Sequence, residues 1–505
     1  MKLRFIQASL YLGIGNILVT LANLGRDVAI ATAFGTTLAV DSFFLAIMLP
    51  LLVLTVGIGA FRSTIVPILE KAVSSEDGVA QLIVGRLLTV NVGVILGIAL
   101  FFALAVNLYA PIIAGRLDQE AVSLIKTLTW ASLPMIALSG LAALGEGPLQ
   151  TRGSYFVPSI VRASLPIGIV VGALMLAPHH GVFGLCIGGG LGAGIQAMLS
   201  LMLLYRHGLL SFGSKKLARN LSTDIRNQFV LLSVGMSIVY VSPVVDQWMA
   251  SFLGAGAVST LSYASRLAIG IASITTGSLG PALLPHFSRK VAFGDMDSIN
   301  ATYIKFVRVA VWAGWGLAGV VWLISDPIIV LLYEGGSFTR DDSRAVASVL
   351  TWFCLQFPPL LVSTAGFTLL QAMSLNKYFV PLSILNATVN ALGNLLLMRW
   401  LGVGGIALST AITYGMSMMT MNLLLHRRGV IRVPASVMKD FVISSVLATS
   451  LGIALIMLDG RPAMVPDWRQ FAMSALAFLC YVASAYFVLR PVLSGLFRGV
   501  RSLDV

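Results

Sequence analysis

"NLGRDVAIATAFGTTLAVDSFF" occupies residues 23–44 and sets two adjacent charges, Arg26 and Asp27, between apolar stretches. A run of about twenty mostly apolar residues leads into the pair, and "LAIMLPLLVLTVGIGAF" follows the segment at 45–61. Segments of that length cover a hydrocarbon core of roughly 30 Å at 1.5 Å per helical residue. The reading is therefore a membrane-crossing helix carrying a buried charge, a short turn, and a second crossing.

The rest of the chain follows the same pattern. Of 505 residues, 57% are hydrophobic and 10% charged, against roughly a quarter charged in soluble domains. Apolar blocks predict fourteen transmembrane helices, starting near residues 8, 42, 83, 123, 155, 181, 227, 257, 301, 344, 378, 403, 438 and 471. The fold class is an all-α polytopic membrane protein. The N-terminal run continues past signal-peptide length and reads as a retained first helix.

The net charge of +13 belongs to loops rather than to a nucleic-acid surface. Lys71, Arg152, the run 206–220, Arg289, Lys290, Lys377 and the run 426–433 fall on one side, while Arg116, Arg340, Arg344, Arg461 and Arg469 are the main bases opposite. Positive-inside bias then places both termini of this multi-pass protein in the cytoplasm. Cys186, Cys354 and Cys480 lie in apolar segments without metal-ligand spacing, so no disulfide framework and no metal site is expected. Phosphate-binding loops, zinc-protease pairs and nucleophile elbows are missing, which argues against an enzyme. No catalytic residue and no cofactor is expected.

Sliding the chain against itself by about 220 residues uncovers a repeat. "DVAIATAFGTTLAVDSFF" from Asp27 lies over "DQWMASFLGAGAVSTLSY" from Asp246, pairing Asp27 with Asp246, Gly35 with Gly254 and Phe44 with Tyr263. Trp130 falls on Trp352, "YFVPSI" at 155 on "YFVPLSI" at 378, and "LLYRHG" ending at Gly208 on "LLHRRG" ending at Gly429. The division expected is a six-helix lobe over 1–215, a second over 216–430, and two additional helices over 431–505. An even-numbered repeat gives parallel halves, as in transporters that bind substrate between rocking repeats.

Buried charges locate the candidate site. An arginine at mid-membrane costs roughly 2.5–3.5 kcal/mol on insertion scales, so it persists facing a partner or a wet cavity. Arg26, Arg62, Arg162 and Arg266 fall within or near spans, and the acidic candidates are Asp27, Asp41, Glu146 and Asp246. Arg266 has no acidic residue for nearly twenty positions on either side, whereas Arg26 has Asp27 beside it. Helix neighbours diverge by about 100°, so that pair is expected to be poor. Arg62 and Arg162 lie near helix ends, where snorkelling competes with a functional reading. Guanidinium forks grip phosphate bidentately, so surplus cations point to an anionic, pyrophosphate-like ligand. Asn386, Asn390 and Asn394 share one helix face, which either lines a cavity or joins helices by hydrogen bonds, the second being favoured.

"GRDVAIATAFGTTLAVDSFFLAIMLP" (25–50), "GAFRSTIVPILEK" (59–71), "SYASRLAIGIASITTGSLGPALLPHFSRK" (262–290) and "LLYEGGSFTRDDS" (331–343) together resemble the MurJ/MviN family of lipid II flippases. The resemblance implies a two-lobed bundle around a cavity whose arginines hold the pyrophosphate of an undecaprenyl-linked sugar. Arg26, Asp41 and Arg266 match family positions regarded as functional. Thr20 stands where the family usually has a further arginine, and Val53 and Leu54 where it has an Arg-Arg pair; Arg62 is the candidate that compensates. The expected substrate contacts are thus Arg26, Arg266, Arg62 and Asp41, with Asp27 and Asp246 balancing charge or coupling an ion. Expected partners are a polyprenyl-pyrophosphate-linked glycan, membrane lipids and cell-envelope glycan synthesis proteins, with no nucleic acid. Two other classes stay open on the residues alone: a cation-coupled small-molecule exporter and a non-transporting membrane scaffold.

Overall fold

The computed structural model describes residues 2–73, 79–152, 154, 156–210, 219–432, 439–440, 442–447, 481–486 and 488–489. Among these the regular structure is helical, apart from one isolated bridge between Gly335 and Phe338. The helices are α1 (Lys2–Phe34), α2 (Leu38–Val73), α3 (Val79–Ile113), α4 (Gln119–Leu144), α5 (Glu146–Thr151), α6 (Phe156–Val161), α7 (Ser164–Val171) and α8 (Ala177–His180). They continue as α9 (Phe183–Arg206), α10 (Arg219–Ala250), α11 (Ala257–Ala292), α12 (Met296–Tyr333), α13 (Arg340–Cys354), α14 (Phe357–Ala372), α15 (Phe379–Leu401) and α16 (Val403–Arg427). Nine helical stretches among the described residues are long and apolar enough to cross a membrane, or ten if the bent pair α13–α14 is one span. The fourteen-span expectation is not reached there. Its last two spans fall largely outside the described residues, as do Cys480, Arg461 and Arg469.

Left-handed glycines display the internal repeat. Gly35 and Gly256, Gly115 and Gly336, Gly181 and Gly402, and Gly208 and Gly429 all have positive φ, and each pair is offset by 221 residues, so Gly256 rather than Gly254, which also has positive φ, keeps the common register with Gly35. Each one flanks a helix end. Gly402, at φ 56 and ψ −133 between α15 and α16, shows why: a side chain held in that conformation costs roughly 1–3 kcal/mol.

Contacts group the residues into two compact units, by a different criterion from the repeat. The first holds Met1–Thr260 and Tyr333–Asp342; the second holds Leu261–Leu332 and Ser343–Val505. In the first unit, α2 packs against α3, α4, α5 and α10, and α4 and α7 pack against α9. Phe43, Phe44, Leu45 and Ile65 on α2 are fully buried. The glycine run of α9 is a packing device. A Cβ on Gly168 of α7 would lie 2.4 Å from the Gly188 carbonyl oxygen, and one on Gly188 would lie 2.3 Å from that of Gly168. The two backbones approach as small-residue membrane interfaces do.

The second unit has a core of Phe287, Tyr303, Val311, Leu361, Leu369, Met421 and Leu425. Lys290 joins α11 to α12 by donating to Ser298 Oγ and Thr302 Oγ1, both at 2.6 Å. Buried Asn390 and Asn394 face α16 together with Asn386. Ser417 Oγ donates to Asn386 Oδ1 at 2.8 Å and Ser409 Oγ to the Asn390 carbonyl at 2.9 Å. With Asn390 Nδ2 donating to Thr410 Oγ1 at 3.5 Å, the side chains of Asn386 and Asn390 join α15 to α16. A smaller cluster packs Tyr481 and Leu489 on Trp312, and Arg308 pairs with Asp440.

Candidate functional site

Arg26 lies within the candidate span Gly13–Phe34 and Arg266 within Ala257–Thr276. Both are half-buried. The Arg26 side chain is 20% exposed and that of Asp27 is 5% exposed. Contrary to the expectation for helix neighbours, the two pair closely: Arg26 Nε and Nη2 donate to Asp27 Oδ1 at 3.0 and 2.8 Å. Adjacent Cβ atoms do diverge, but the long, flexible arginine stem bends back across the gap. An anion approaching Arg26 therefore competes with a built-in carboxylate. Arg266 stands on α11 beside the buried Leu267 and Ala268. Asp246 lies half-buried near the end of α10.

Asp41, expected as a substrate contact, is engaged within the protein. It is fully buried, and its two oxygens accept from the Gly256 N–H at 2.6 Å and the Ser259 N–H at 2.7 Å. Gly256 begins α11, since its carbonyl accepts from the Thr260 N–H at 3.0 Å, yet it has no side chain to cap the orphan donors of the first turn. Asp41 supplies the cap from α2, where its charge also suits the positive end of the helix dipole.

The same turn holds a second attachment. The 333–342 segment folds onto the end of α1: the Ser337 N–H donates to the Thr32 carbonyl at 2.8 Å and Ser337 Oγ to the Ala33 carbonyl at 3.0 Å. Thr36 Oγ1 donates to Asp342, which also accepts from the Thr339 N–H at 2.7 Å. Gly336 is required here, because a Cβ would lie 2.2 Å from the Thr32 carbonyl oxygen. The motif at 331–343 thus serves to dock this segment.

Arg62 is not isolated. Its Nη1 lies 3.7 Å from Glu146 Oε2, and Arg162 Nε lies 3.6 Å from Glu146 Oε1. Of the positions that depart from the family pattern, Thr20 is exposed, Val53 is exposed, and Leu54 packs on Gly140 of α4. Leu54 therefore occupies a packing position.

Comparison with known proteins adds the following. The family model described as Lipid II flippase MurJ matches residues 30–477. A probable lipid II flippase MurJ from Aquifex aeolicus (strain VF5) is 25% identical over 356 residues, covering 70% of this chain and 69% of that one. A solved structure of a lipid II flippase MurJ in an inward closed conformation superposes with a TM-score of 0.78 at 21% identity, over 95% of this chain and 99% of its own. An inward-facing multidrug resistance MATE family transporter of the MOP superfamily superposes with a TM-score of 0.70 at 14% identity, over 86% and 99%. At these identities the two structures share the fold.

Proposed function

The chain belongs to the MurJ family, and on that premise we propose that it translocates a polyprenyl-pyrophosphate-linked saccharide, lipid II-like or an exopolysaccharide repeat unit, across the bacterial cytoplasmic membrane. The protein is a multi-pass membrane transporter and not an enzyme. The reading includes cytoplasmic N- and C-termini, from the distribution of loop charge.

One observation carries the proposal: two half-buried arginines, Arg26 and Arg266, sit near the middle of the candidate membrane spans Gly13–Phe34 and Ala257–Thr276. Each such placement costs a few kcal/mol on insertion; Asp27 offsets part of that cost for Arg26, and an anionic ligand adds a further counter-charge. Arg26 and Arg266 bind the pyrophosphate, and Arg62 adds positive charge to its path. Asp27 holds Arg26 in place while the site is empty and re-pairs with it after release. Asp246 balances charge, and Asp41 contributes as the cap of α11. Alternating access follows, because a ligand that binds one conformation more tightly shifts the population toward it.

The cation-coupled exporter reading needs a carboxylate free to exchange a cation. Of its three candidates, Asp27 is engaged by Arg26 and Asp41 by two backbone donors. Native mass spectrometry of the full chain with undecaprenyl pyrophosphate and lipid II tests the proposal. Retention of pyrophosphate-linked lipids by the wild type, and their loss in R26Q/R266Q, is the expected result. Equal retention by both proteins would remove the two arginines from the site.

A further inference from the structure

Two cations and one anion meet where α4 breaks into α5. Glu146 opens α5 immediately after the break at Gly145. Arg162 sits in the turn between α6 and α7, inside the candidate span Phe156–His180. Arg62 reaches them from the last part of the span Leu38–Val66, its stem passing 3.9 Å from the Cβ position of Gly147. Breaks of this kind are tolerated at membrane depth where the backbone is buried in protein or lines a wet cavity.

The cluster is electrically incomplete. Among the described residues, one carboxylate faces two guanidiniums, leaving a net charge of +1. Neither arginine donates a hydrogen bond to Glu146, and both ion-pair distances exceed hydrogen-bond length. The strong donors go instead to neutral amides: Arg62 Nη2 to Gln150 Oε1 at 3.0 Å, and Arg162 Nη2 to Asn16 Oδ1 at 2.7 Å. Among the described residues, Arg162 Nε is buried with no hydrogen-bond partner. The Arg62 side chain remains 45% exposed. A guanidinium has five donors, and a charged acceptor is roughly twice as strong a partner as a neutral one.

We infer that Arg62 and Arg162, spaced by Glu146, form a second anion site that binds a phosphate ester. Glu146 already demonstrates the geometry, since a single anionic group lies within reach of both guanidiniums. A phosphate on the exposed side of Arg62 displaces the amides of Gln150 and Asn16 and receives their donors. Glu146 keeps the site from holding its ligand too tightly. The phosphate comes from one of two sources, the pyrophosphate of the transported glycolipid or the headgroup of an anionic phospholipid. The first source rests on the flippase reading; the second does not.

The test uses the full chain in phosphatidylcholine nanodiscs on the R26Q/R266Q background, so that failure of the principal site is separated from failure of this one. Inorganic pyrophosphate is titrated by calorimetry. R62Q and R162Q are each expected to weaken binding about tenfold, and E146Q to tighten it about tenfold as an opposing charge is removed. A misfolded variant does not gain affinity, so the E146Q arm remains decisive if an arginine variant unfolds. No residual pyrophosphate binding in R26Q/R266Q, or weakening in R62Q and R162Q without tightening in E146Q, overturns the second site and leaves the flippase reading intact. Native mass spectrometry with nanodiscs containing undecaprenyl pyrophosphate or phosphatidylglycerol identifies the source, as the lipid whose retention falls in R162Q and rises in E146Q. If neither lipid responds, the site does not bind phosphate esters.

Discussion

Replacing Asp41 tests whether a side chain on α2 holds the start of α11, 215 residues away in sequence. The carboxylate accepts two backbone N–H bonds, at 2.6 and 2.7 Å, in a fully buried position. Hydrogen bonds to a charged group are each worth about 1.5–3 kcal/mol. Asparagine keeps one acceptor but turns an amide N–H toward a donor, so D41N is expected to cost about 2 kcal/mol, and D41A about 4 kcal/mol because both N–H groups lose their partner. The loss is local opening of the first turn of α11. Hydrogen exchange of a peptide covering 254–262, followed by mass spectrometry, reads it directly. The expected acceleration is about 30-fold for D41N and about a thousandfold for D41A, with a peptide from α9 unchanged. Identical exchange at 254–262 in wild type and D41A would refute the capping argument.

Three further outcomes follow from the same geometry. D27N removes the carboxylate that competes for Arg26, so pyrophosphate affinity is expected to rise about tenfold in calorimetric titration; an unchanged affinity means Asp27 does not compete. G402A puts a Cβ on a residue at φ 56, ψ −133, a conformation almost reserved for glycine, and is expected to cost about 1–3 kcal/mol in denaturant unfolding of the purified protein, whereas G190A, where a Cβ meets open space inside α9, is expected to stabilise it by about 0.5–1 kcal/mol. G168V drives side-chain atoms into the α9 backbone and is expected to lower stability by more than the about 1–3 kcal/mol typical of overpacking, since neither backbone can yield; wild-type folding yield and melting would contradict that close crossing.

Much of the architecture was legible because membrane helices announce themselves by length and polarity, and a duplicated topology leaves matched punctuation. The correspondence of Gly208 with Gly429 was visible in "LLYRHG" and "LLHRRG", and both residues adopt positive φ. Arg26 and Arg266 stood out because charge in an apolar run is costly. What escaped was pairing. Divergence of neighbouring helix positions describes Cβ directions and ignores the reach of an arginine stem, so the Arg26–Asp27 bond was missed. The role of Asp41 depends on two backbone donors more than 200 positions away, next to a glycine that cannot cap its own helix; no local pattern encodes that. Glu146 was visible as a buried acid, but its meeting with Arg62 and Arg162 depends on breaks at Gly145 and at residues 162–163 that periodicity does not reveal. The 333–342 motif was recognisable, while its docking on Thr32 and Ala33 required coordinates.

The most direct measurement of the central claim is transbilayer movement in proteoliposomes. Purified full-length protein is reconstituted with a labelled undecaprenyl-pyrophosphate-linked saccharide, and a glycan-modifying enzyme added outside reports what reaches the outer leaflet. The wild type is expected to expose inner-leaflet substrate well above protein-free vesicles, and R26Q/R266Q to fall to the protein-free rate while remaining folded. Full transport by that double variant, or none by the wild type with either lipid II or an exopolysaccharide precursor, would contradict the account.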